Sequence, residues 1–428
     1  MEKTKVDLSY VPQTHELTEQ RDARMKWFRD AKFGMFLHWG PVSLSGKELG
    51  WGRDANRPWD VNKHGPRTDD PMYDNLYKQF NPVKFNADEW VRIAQNAGMK
   101  YMVLVTKHHD GFSMFDSKLS EYDIMATPYG RDIVRQYCVA CQNAGMKLGL
   151  YYSTRDWYHL DYLVEDNAKY DQWYRGQVEE LLSHYGKIDL MWFDHVGGEN
   201  WGKWKFDELF SMMYRLQPGL VVNDRAAKFC GPKSPEDQGP ATPEIAKMTQ
   251  GDFGTPEETL GHMDLKHDWE SCMTLVGSQW SWKPEGKMYT FEETLNMLVS
   301  CVTGGGNLLL NVGPMPTGEI EGRQVELLKQ VGDWIKPRSE AIYGTRGGPF
   351  VNGEWGGACY NGNAVYVFAK KWENGMLALG PLPQKIKAVK KLVDGSKVAF
   401  KQTESGIQLT LSADKCDAFF TVLALTLG

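Results

Sequence analysis

Three absences narrow the class of protein. No apolar run is long enough to span a bilayer, and the opening MEKTKVDLSY lacks the apolar stretch of a signal peptide. Charge of one sign is not in excess either, since the formal net charge is only −6 over 428 residues. We therefore expect neither a nucleic-acid nor a membrane partner. We expect a cytoplasmic protein, or a secreted or periplasmic one if an upstream signal has been removed.

A disulfide framework is also missing. Seven cysteines lie at scattered positions, and an odd number leaves at least one unpaired. Cys138 and Cys141 have the spacing of a redox pair, but they lie within an apolar helical pattern. We expect both to pack in the core rather than to carry redox chemistry or bind metal.

Tryptophan, in contrast, is abundant, with 16 residues. The C–H faces of sugars stack on indole rings, so this abundance favours a carbohydrate ligand, although core packing accounts for most of these side chains.

A repeated pentapeptide indicates the fold. Asn-Ala-Gly-Met-Lys occurs at 96–100 and at 143–147, each time after an amphipathic helical stretch and before an apolar run. Gly98 and Gly145 suit left-handed helix caps, and a buried strand is predicted to follow each. Helix, glycine turn and buried strand in alternation are typical of a parallel α/β fold.

Several predicted strands end in polar residues, as barrel strands do where they feed an active site. The strands before His38, Asp194, Asn223 and Asn311 share this pattern. A doubly wound sheet would usually carry a glycine-rich phosphate loop after an early strand, and none occurs here. We interpret Gly304-Gly-Gly, which precedes a strand, as a tight turn. The sequence thus predicts a (β/α)8-like, TIM-type barrel.

The pattern of residue types changes after residue 345. Alternating or β-rich runs are punctuated by Asn-Gly and Asp-Gly pairs at 361, 374 and 394, which predict hairpin turns. We predict a barrel catalytic domain over residues 1–345 and a C-terminal antiparallel β-sandwich over 346–428. The segment 200–261 is rich in Gly, Pro and acids, and much of it is expected to be loop over the barrel mouth.

Polar clusters that follow the predicted strands allow three interpretations. A metal site is the first, but neighbours on an extended segment point to opposite sides, so His108 and His109 are poorly placed to bind one ion. No His-x-His or His-Glu-x-x-His pattern occurs either. The second is a purely structural role for the histidines. The third is a sugar pocket, in which neutral histidines bind hydroxyl groups and tryptophan supplies an apolar wall.

Hydrolysis of a glycoside needs two carboxyl groups, one ionised to attack and one protonated to release the leaving group. Asp194 suits the first role, because a rigid strand end fixes its distance to the sugar. A glutamate on a loop suits the second role, since it must meet differing leaving groups.

Six ordered segments carry a family resemblance. They are AKFGMFLHWGP (31–41), KHHDGF (107–112), IDLMWFD (188–194), VVNDR (221–225), TPE (255–257) and GGNLLLNVGP (305–314), the last followed by AIYGT (341–345). They resemble glycoside hydrolase family 29, the α-L-fucosidases, over about residues 23–345. Members of that family commonly have a C-terminal β-sandwich.

The resemblance implies a retaining double displacement on fucosylated glycans, with no metal or organic cofactor. Asp194 matches the nucleophile of the family. The residues that match those holding the fucose hydroxyls are His38, His108, His109, Trp192 and Arg225. Trp51, together with Glu48, takes the place of an early Glu-Trp pair, although here residues 49–50 separate the two. Trp280 looks like the aromatic that faces the methyl group of the sugar.

The acid/base has more than one candidate. Asp252-Phe-Gly-Thr-Pro-Glu257 resembles the loop that carries it in bacterial members, so Glu257 is the first choice. Glu270 is the alternative, and Glu258 and Glu244 are lesser candidates. Glu257 could instead simply help to start a short helix after a proline.

Three competing functions are compatible with the same residues. The first is the same mechanism acting on α-L-galactosides, whose sugar differs from α-L-fucose only by a hydroxyl group at C6. A fucose-binding protein without turnover is a second alternative, and a metal-dependent hydrolase, which EDTA would inactivate, is a third.

Overall fold

The computed structural model describes residues 18–53, 69–165, 167–194, 204–226, 251–277 and 279–428. The α-helices in these ranges are α1 (Thr18–Ala31), α2 (Pro71–Asp74), α3 (Ala87–Asn96), α4 (Ile133–Asn143), α5 (Ala168–His184), α6 (Phe206–Leu216), α7 (Phe291–Gly304) and α8 (Gly322–Ile335). Among these described residues, none of the helices has the length and hydropathy that a membrane span requires.

Seven parallel strands form one curled sheet in the order β5-β4-β3-β2-β1-β7-β6. They are β1 (Phe33–Leu37), β2 (Tyr101–Lys107), β3 (Lys147–Ser153), β4 (Leu190–Asp194), β5 (Val221–Val222), β6 (Glu270–Thr274) and β7 (Asn307–Val312). Nearly every residue of these strands is buried, because helices cover the outside and side chains fill the interior. This sheet confirms the predicted parallel α/β architecture.

The repeated pentapeptide forms the predicted turns. Gly98 and Gly145 have φ of +86° and +64°, the left-handed conformation that ends a helix at low cost when the residue is glycine. The strands β2 and β3 begin within three residues of these glycines. Gly305 ends α7 in the same way, with φ of +96°, so the triple glycine is a helix stop before β7.

A short irregular segment, residues 252–258, closes the sheet into a barrel between β5 and β6. Bridges join Asn223 to Phe253 on one side and Gly254 to Trp269 on the other, both in parallel sense. A third parallel bridge joins Glu257 to Cys272. Within the described residues the barrel wall therefore consists of seven strands and this extended segment, which is too irregular to count as a strand.

Helix α1 packs on the barrel interior at the N-terminal ends of the strands. Its Met25 and Phe28 are buried with the interior side chains of the barrel. The guanidinium of Arg24 donates two hydrogen bonds of 2.8 Å to the carboxylate of Asp252. This contact ties α1 to the start of the closing segment.

Antiparallel strands occupy the chain from residue 346 onward. They are β8 (Arg346–Gly347), β9 (Gly356–Asn361), β10 (Ala364–Ala369), β11 (Met376–Leu379), β12 (Ile386–Lys391), β13 (Ala399–Thr403), β14 (Gly406–Thr410) and β15 (Thr421–Leu427). They form a five-stranded sheet, β12-β15-β10-β9-β8, and a three-stranded sheet, β11-β14-β13. A separate apolar core lies between them. The predicted β-sandwich is confirmed, and the division at 345/346 remains a proposal.

Two further expectations concern the cysteines and the mouth of the barrel. Cys138 and Cys141 are buried in α4, where burial raises the pKa of the Cys141 thiol to about 12, so both pack as predicted. Of the segment 200–261, much of which is predicted to be loop, residues 204–226 contain α6 and β5 and residues 251–261 are irregular, while 200–203 and 227–250 lie outside the described residues.

Candidate active site

The polar residues that follow the parallel strands meet at the C-terminal edge of the barrel. Eight of the eleven predicted site residues line one small pocket there: His38, Trp51, His108, Trp192, Asp194, Arg225, Glu257 and Trp280. Phe36, Tyr151 and Cys272 complete the described lining. The barrel brings these positions together because the carboxyl ends of all its strands open on the same face.

Arg225 joins the two candidate catalytic acids. Its Nη1 donates to Oδ1 of Asp194 at 3.1 Å and to Oε2 of Glu257 at 2.7 Å. The rest of the guanidinium is held by Thr255, whose hydroxyl and carbonyl oxygens accept at 2.7 and 2.8 Å. The Cζ atom of Arg225 also lies over the ring of Trp192, 4.8 Å from its centre, in a cation–π contact.

Asp194 ends β4 with its backbone and side chain both held. The hydroxyl of Tyr151 donates to Oδ2 at 2.9 Å, and Nε2 of His109 lies 3.7 Å from the same oxygen. The backbone N–H and the hydroxyl of Thr154 both donate to the Asp194 carbonyl, at 2.9 and 3.0 Å. These contacts give the carboxylate a defined orientation toward the pocket.

The expectation that His108 and His109 point to opposite sides is wrong. Their ring centres lie 4.1 Å apart. The reason is that β2 ends at Lys107, and the chain then turns, with the Gly111 N–H bonded to the His108 carbonyl oxygen. The alternation of side chains applies only to extended backbone.

This turn also brings together a set of atoms that could hold a metal ion. One potential ligand atom from each of His108, His109 and Asp194 lies within 4.8 Å of the others. His109 additionally bonds Ser153 through Nδ1 at 2.6 Å. The positively charged Arg225 lies beside Asp194, and its charge would repel a metal ion bound at this point.

His38 belongs to an aromatic wall of the pocket. Its ring centre lies 4.8 Å from that of Trp280 and 4.4 Å from that of Phe36. Burial lowers the pKa of His38 to about 4, so the ring is neutral at physiological pH. Its Nδ1 bonds Oδ1 of Asn311 at 2.7 Å, while Nδ2 of Asn311 donates to the Trp280 carbonyl oxygen at 2.7 Å.

Glu48 lies beside the pocket rather than on its lining. Its carboxylate accepts the backbone N–H groups of Trp280 at 2.8 Å, Ser281 at 3.0 Å and Leu49 at 2.8 Å. Burial raises the pKa of Glu48, and these hydrogen bonds oppose the rise. The side chain therefore holds the loop that carries Trp280, while Trp51, three residues on, reaches the pocket and packs against His109.

Glu270 lies at the opposite end of the barrel strands from the other acids. It is the first residue of β6, is fully buried and accepts hydrogen bonds from Tyr101 and from Nε1 of Trp192, the latter at 3.1 Å. Burial raises the pKa of Glu270 to about 7. The side chain is not part of the pocket lining, so the geometry favours Glu257 over Glu270 as the residue that meets a leaving group.

The segment after Pro256 is not a helix, so the interpretation of Glu257 as a helix-start residue is wrong. Glu258 accepts a hydrogen bond from Thr274 at 3.1 Å and is not among the lining residues. Glu244, the other lesser candidate, lies outside the described residues.

Sequence reasoning missed Tyr151 and the supporting role of Asn311. Tyr151 follows the second copy of the pentapeptide inside an apolar run, where it resembles an ordinary core aromatic. Asn311 does carry a signal, because it interrupts the apolar run Leu308–Leu310 with a buried amide that needs partners.

The fold and the site together define a class of protein. A parallel barrel that presents two close carboxylates, a cation and aromatic walls at the C-terminal ends of its strands is the arrangement of a glycoside hydrolase.

Comparison with known proteins identifies the family. The sequence profile of the α-L-fucosidases matches residues 1–340. The human plasma α-L-fucosidase is 32% identical over 399 residues, which is 85% of this chain and 80% of that protein. Among solved structures, α-L-fucosidase isoenzyme 1 from Paenibacillus thiaminolyticus has 32% identity and a TM-score of 0.81, covering 95% of this chain and 99% of that one. The α-fucosidase from Thermotoga maritima, solved with a mechanism-based inhibitor, has 26% identity and a TM-score of 0.76, with 96% and 99% covered. The chain belongs to the α-L-fucosidase family.

Proposed function

We propose that this site removes terminal α-L-fucose from fucosylated glycans with retention, Asp194 being the nucleophile and Glu257 the acid/base. The shared contact with Arg225 carries the proposal. Because one nitrogen bonds both carboxylates, at 3.1 and 2.7 Å, the two bonded oxygens are at most about 6 Å apart. Retaining glycosidases hold these groups about 5–5.5 Å apart, whereas inverting enzymes need roughly 6.5–9.5 Å to admit a water molecule.

Asp194 suits the nucleophile because it is rigidly held and little exposed. Its side chain is 11% exposed, and Tyr151 and Arg225 each bond one carboxylate oxygen. In the first step one of these oxygens forms a bond to C1 of fucose as the bond from C1 to the glycosidic oxygen breaks. The hydrogen bonds fix the direction of attack and stabilise the carboxylate when it departs again in the second step.

Glu257 suits the acid/base because it lies toward solvent. Its side chain is 43% exposed, which leaves room for a leaving group and later for water. It donates a proton to the glycosidic oxygen in the first step and takes one from water in the second. Donation requires the carboxyl group to carry a proton and to move off Nη1 of Arg225, so we expect the bound substrate to displace this contact.

The remaining pocket residues would select the sugar. His38, His108 and Arg225 supply hydrogen-bonding groups, and Trp280 would face the C5 methyl group as part of the apolar wall. α-L-Galactose carries a hydroxyl group at C6 in place of a methyl hydrogen. An apolar wall rejects such an added hydroxyl by only about 100-fold. We therefore expect 4-nitrophenyl α-L-galactoside to be a measurable but poor substrate.

The test compares wild type, Asp194→Ala and Glu257→Gln on 4-nitrophenyl α-L-fucoside and on a fucosylated oligosaccharide, with and without azide. Asp194→Ala should lose several orders of magnitude in rate on both substrates. Glu257→Gln should keep more activity on the aryl fucoside, whose leaving group needs little protonation, than on the oligosaccharide.

Azide should raise the rate of Glu257→Gln on the aryl fucoside and yield fucosyl azide of retained α configuration, because azide replaces water in the second step. With Asp194→Ala it should yield the inverted β product, which NMR distinguishes. Glu257→Gln with wild-type rates on both substrates would move the acid/base elsewhere. A wild-type protein that binds fucose but releases no nitrophenol would favour the binding-protein alternative.

A further inference from the structure

One wall of the pocket is a tight turn that we call the Trp51 turn, residues 46–53. Successive backbone hydrogen bonds close it: the N–H of Trp51 bonds the Leu49 carbonyl oxygen at 2.7 Å, and the N–H of Gly52 bonds that of Glu48 at 2.7 Å. Its two middle residues, Leu49 and Gly50, separate Glu48 from Trp51. Because Trp51 lines the pocket, the position of this turn decides where one aromatic side chain meets the sugar.

Gly50 lies directly against a pocket histidine. Its φ is +66°, and a Cβ atom on it would lie 2.4 Å from Nδ1 of His108 and 3.2 Å from Cβ of His109. Only glycine allows both this backbone conformation and this approach. The backbone of the turn and the ring of His108 are therefore in direct contact.

A two-step hydrogen-bond chain ties this point to the end of β2. The backbone N–H of Gly50 donates to the hydroxyl oxygen of Tyr73 at 2.9 Å, and that hydroxyl donates to Oδ2 of Asp110 at 2.8 Å. Tyr73 is 2% exposed and Asp110 is 1% exposed. Asp110 follows His109 directly in the chain, and its Oδ1 accepts the Phe112 N–H at 3.3 Å.

We propose that Tyr73 and Asp110 are positioning residues of the fucosidase site, which hold the Trp51 turn against His108 so that Trp51 and His108 contact the sugar together. Neither residue lines the pocket, so both act through the backbone of Gly50. The inference rests on the proposed function, because it takes the sugar to lie between these walls.

The two ends of the turn have their own anchors. Arg53 forms a bidentate ion pair with Asp74, at 2.7 and 2.8 Å. At the other end, the carboxylate of Glu48 accepts the backbone N–H of Trp280. Loss of the Tyr73 hydroxyl therefore leaves the turn attached at both ends and frees only its middle. This separation lets a defect in positioning be measured apart from unfolding.

The first experiment compares Tyr73→Phe with Tyr77→Phe, the same chemical change four residues away, where the ring packs against Phe112 and Tyr122. For Tyr73→Phe we expect KM for 4-nitrophenyl α-L-fucoside to rise about tenfold while kcat changes less than about threefold, because the affected walls bind the sugar and not the reacting atoms. The dissociation constant of free L-fucose, followed by tryptophan fluorescence, should rise by a similar factor. Tyr77→Phe should match wild type in both measurements.

The second experiment uses Asp110. Asp110→Asn keeps one oxygen that can accept the Tyr73 hydroxyl and loses only the longer bond of 3.3 Å from the Phe112 N–H, so its KM should stay within about threefold of wild type. Asp110→Ala should instead resemble Tyr73→Phe. The double variant Tyr73→Phe/Asp110→Ala should be no worse than either single variant, because both break one chain. If Tyr73→Phe fails to fold, the comparison of Asp110→Ala with Asp110→Asn still decides the matter, since normal KM in a folded Asp110→Ala protein would overturn the inference.

Wild-type KM and fucose affinity in a folded Tyr73→Phe protein would overturn the inference, as would fully additive effects of the two changes. An inactive wild type would instead contradict the proposed function, so the two failures are distinguishable.

Discussion

At the scale of single residues, the site depends on one cation that contacts two acids. Arg225 orients the carboxylates of Asp194 and Glu257 and is itself held by Thr255 and the ring of Trp192. A planar fork with several donors is needed for this arrangement, and lysine offers only a point charge.

Arg225→Lys should therefore reduce kcat/KM on 4-nitrophenyl α-L-fucoside by at least about 100-fold, roughly 2.7 kcal/mol of transition-state stabilisation, because a shorter side chain with one nitrogen cannot bond Asp194 and both oxygens of Thr255 together. Steady-state kinetics measure the effect. Arg215→Lys, on the last turn of α6, is the matched control and should behave as wild type. Nearly normal kcat/KM in Arg225→Lys would show that the fork of Arg225 is not needed to orient Asp194.

The variant Glu270→Gln tests whether Glu270 or Glu257 is the catalytic acid/base. The folded protein keeps the Glu270 proton up to a pKa of about 7, whereas the unfolded chain releases it near 4.5. Stability therefore falls as the pH rises between these values, in total by on the order of 3 kcal/mol. The glutamine variant should lack this fall, since its amide can still bond Tyr101 and Trp192. Urea unfolding from pH 4.5 to 8 measures it.

The same variant should keep activity within about threefold of wild type and show no azide rescue, because Glu270 does not line the pocket. Loss of activity that azide restores would transfer the acid/base role from Glu257 to Glu270.

At the scale of elements, the loops at the barrel mouth are held by a partly buried carboxylate as well as by apolar packing. Glu48 is the clearest case, since three backbone N–H groups converge on it from two loops. An ionised oxygen accepts several such bonds, and an amide replaces one acceptor by a donor.

Glu48→Gln should thus loosen the Trp280 loop. We expect KM for the aryl fucoside to rise about fivefold or more and the unfolding free energy to fall by about 1–3 kcal/mol, as an N–H group is left unpaired. Kinetics and urea unfolding measure the two effects. Glu121→Gln, the same change at an exposed position, is the control. A variant with normal KM would show that the loop keeps its position without Glu48.

At the scale of the whole molecule, the barrel and the sandwich share part of one core. Phe368 of β10 and Phe420 lie in the same buried cluster as Trp334 of α8, with ring centres about 6.5 Å apart. The shared cluster predicts that both parts unfold together.

Phe368→Ala should lower the unfolding free energy by about 3–5 kcal/mol, with loss of barrel activity and of β-sheet circular dichroism in a single transition. Val393→Ala, at an exposed site of the sandwich, should change stability by less than about 0.5 kcal/mol. Two separate transitions in the wild type would show that the parts are independent.

Exhaustive dialysis against EDTA should leave the activity on 4-nitrophenyl α-L-fucoside unchanged, because the proposed chemistry uses two carboxyl groups and water. Activity that falls and returns with added Zn²⁺ would instead assign the His108, His109 and Asp194 group to a catalytic metal.

Features that depend on local chemistry can be predicted from the amino-acid sequence alone. Apolar runs with glycine caps predict the parallel strands, polar strand ends predict the position of the site, and the ordered motifs indicate the family. Asp194 is found in this way, since a carboxylate that ends a buried strand is visible in the chain.

Which of these residues meet depends on the tertiary structure. The turn after Lys107 puts His108 and His109 side by side, the irregular segment 252–258 carries Glu257 to the pocket, and the position of Glu270 at the start of its strand removes it. Tyr73 reaches Gly50 and Asp110 across 23 and 37 residues. Such contacts depend on how the strands close into a barrel and on where the backbone leaves the extended conformation. Neither can be predicted from the local sequence, because both depend on residues far apart in the chain.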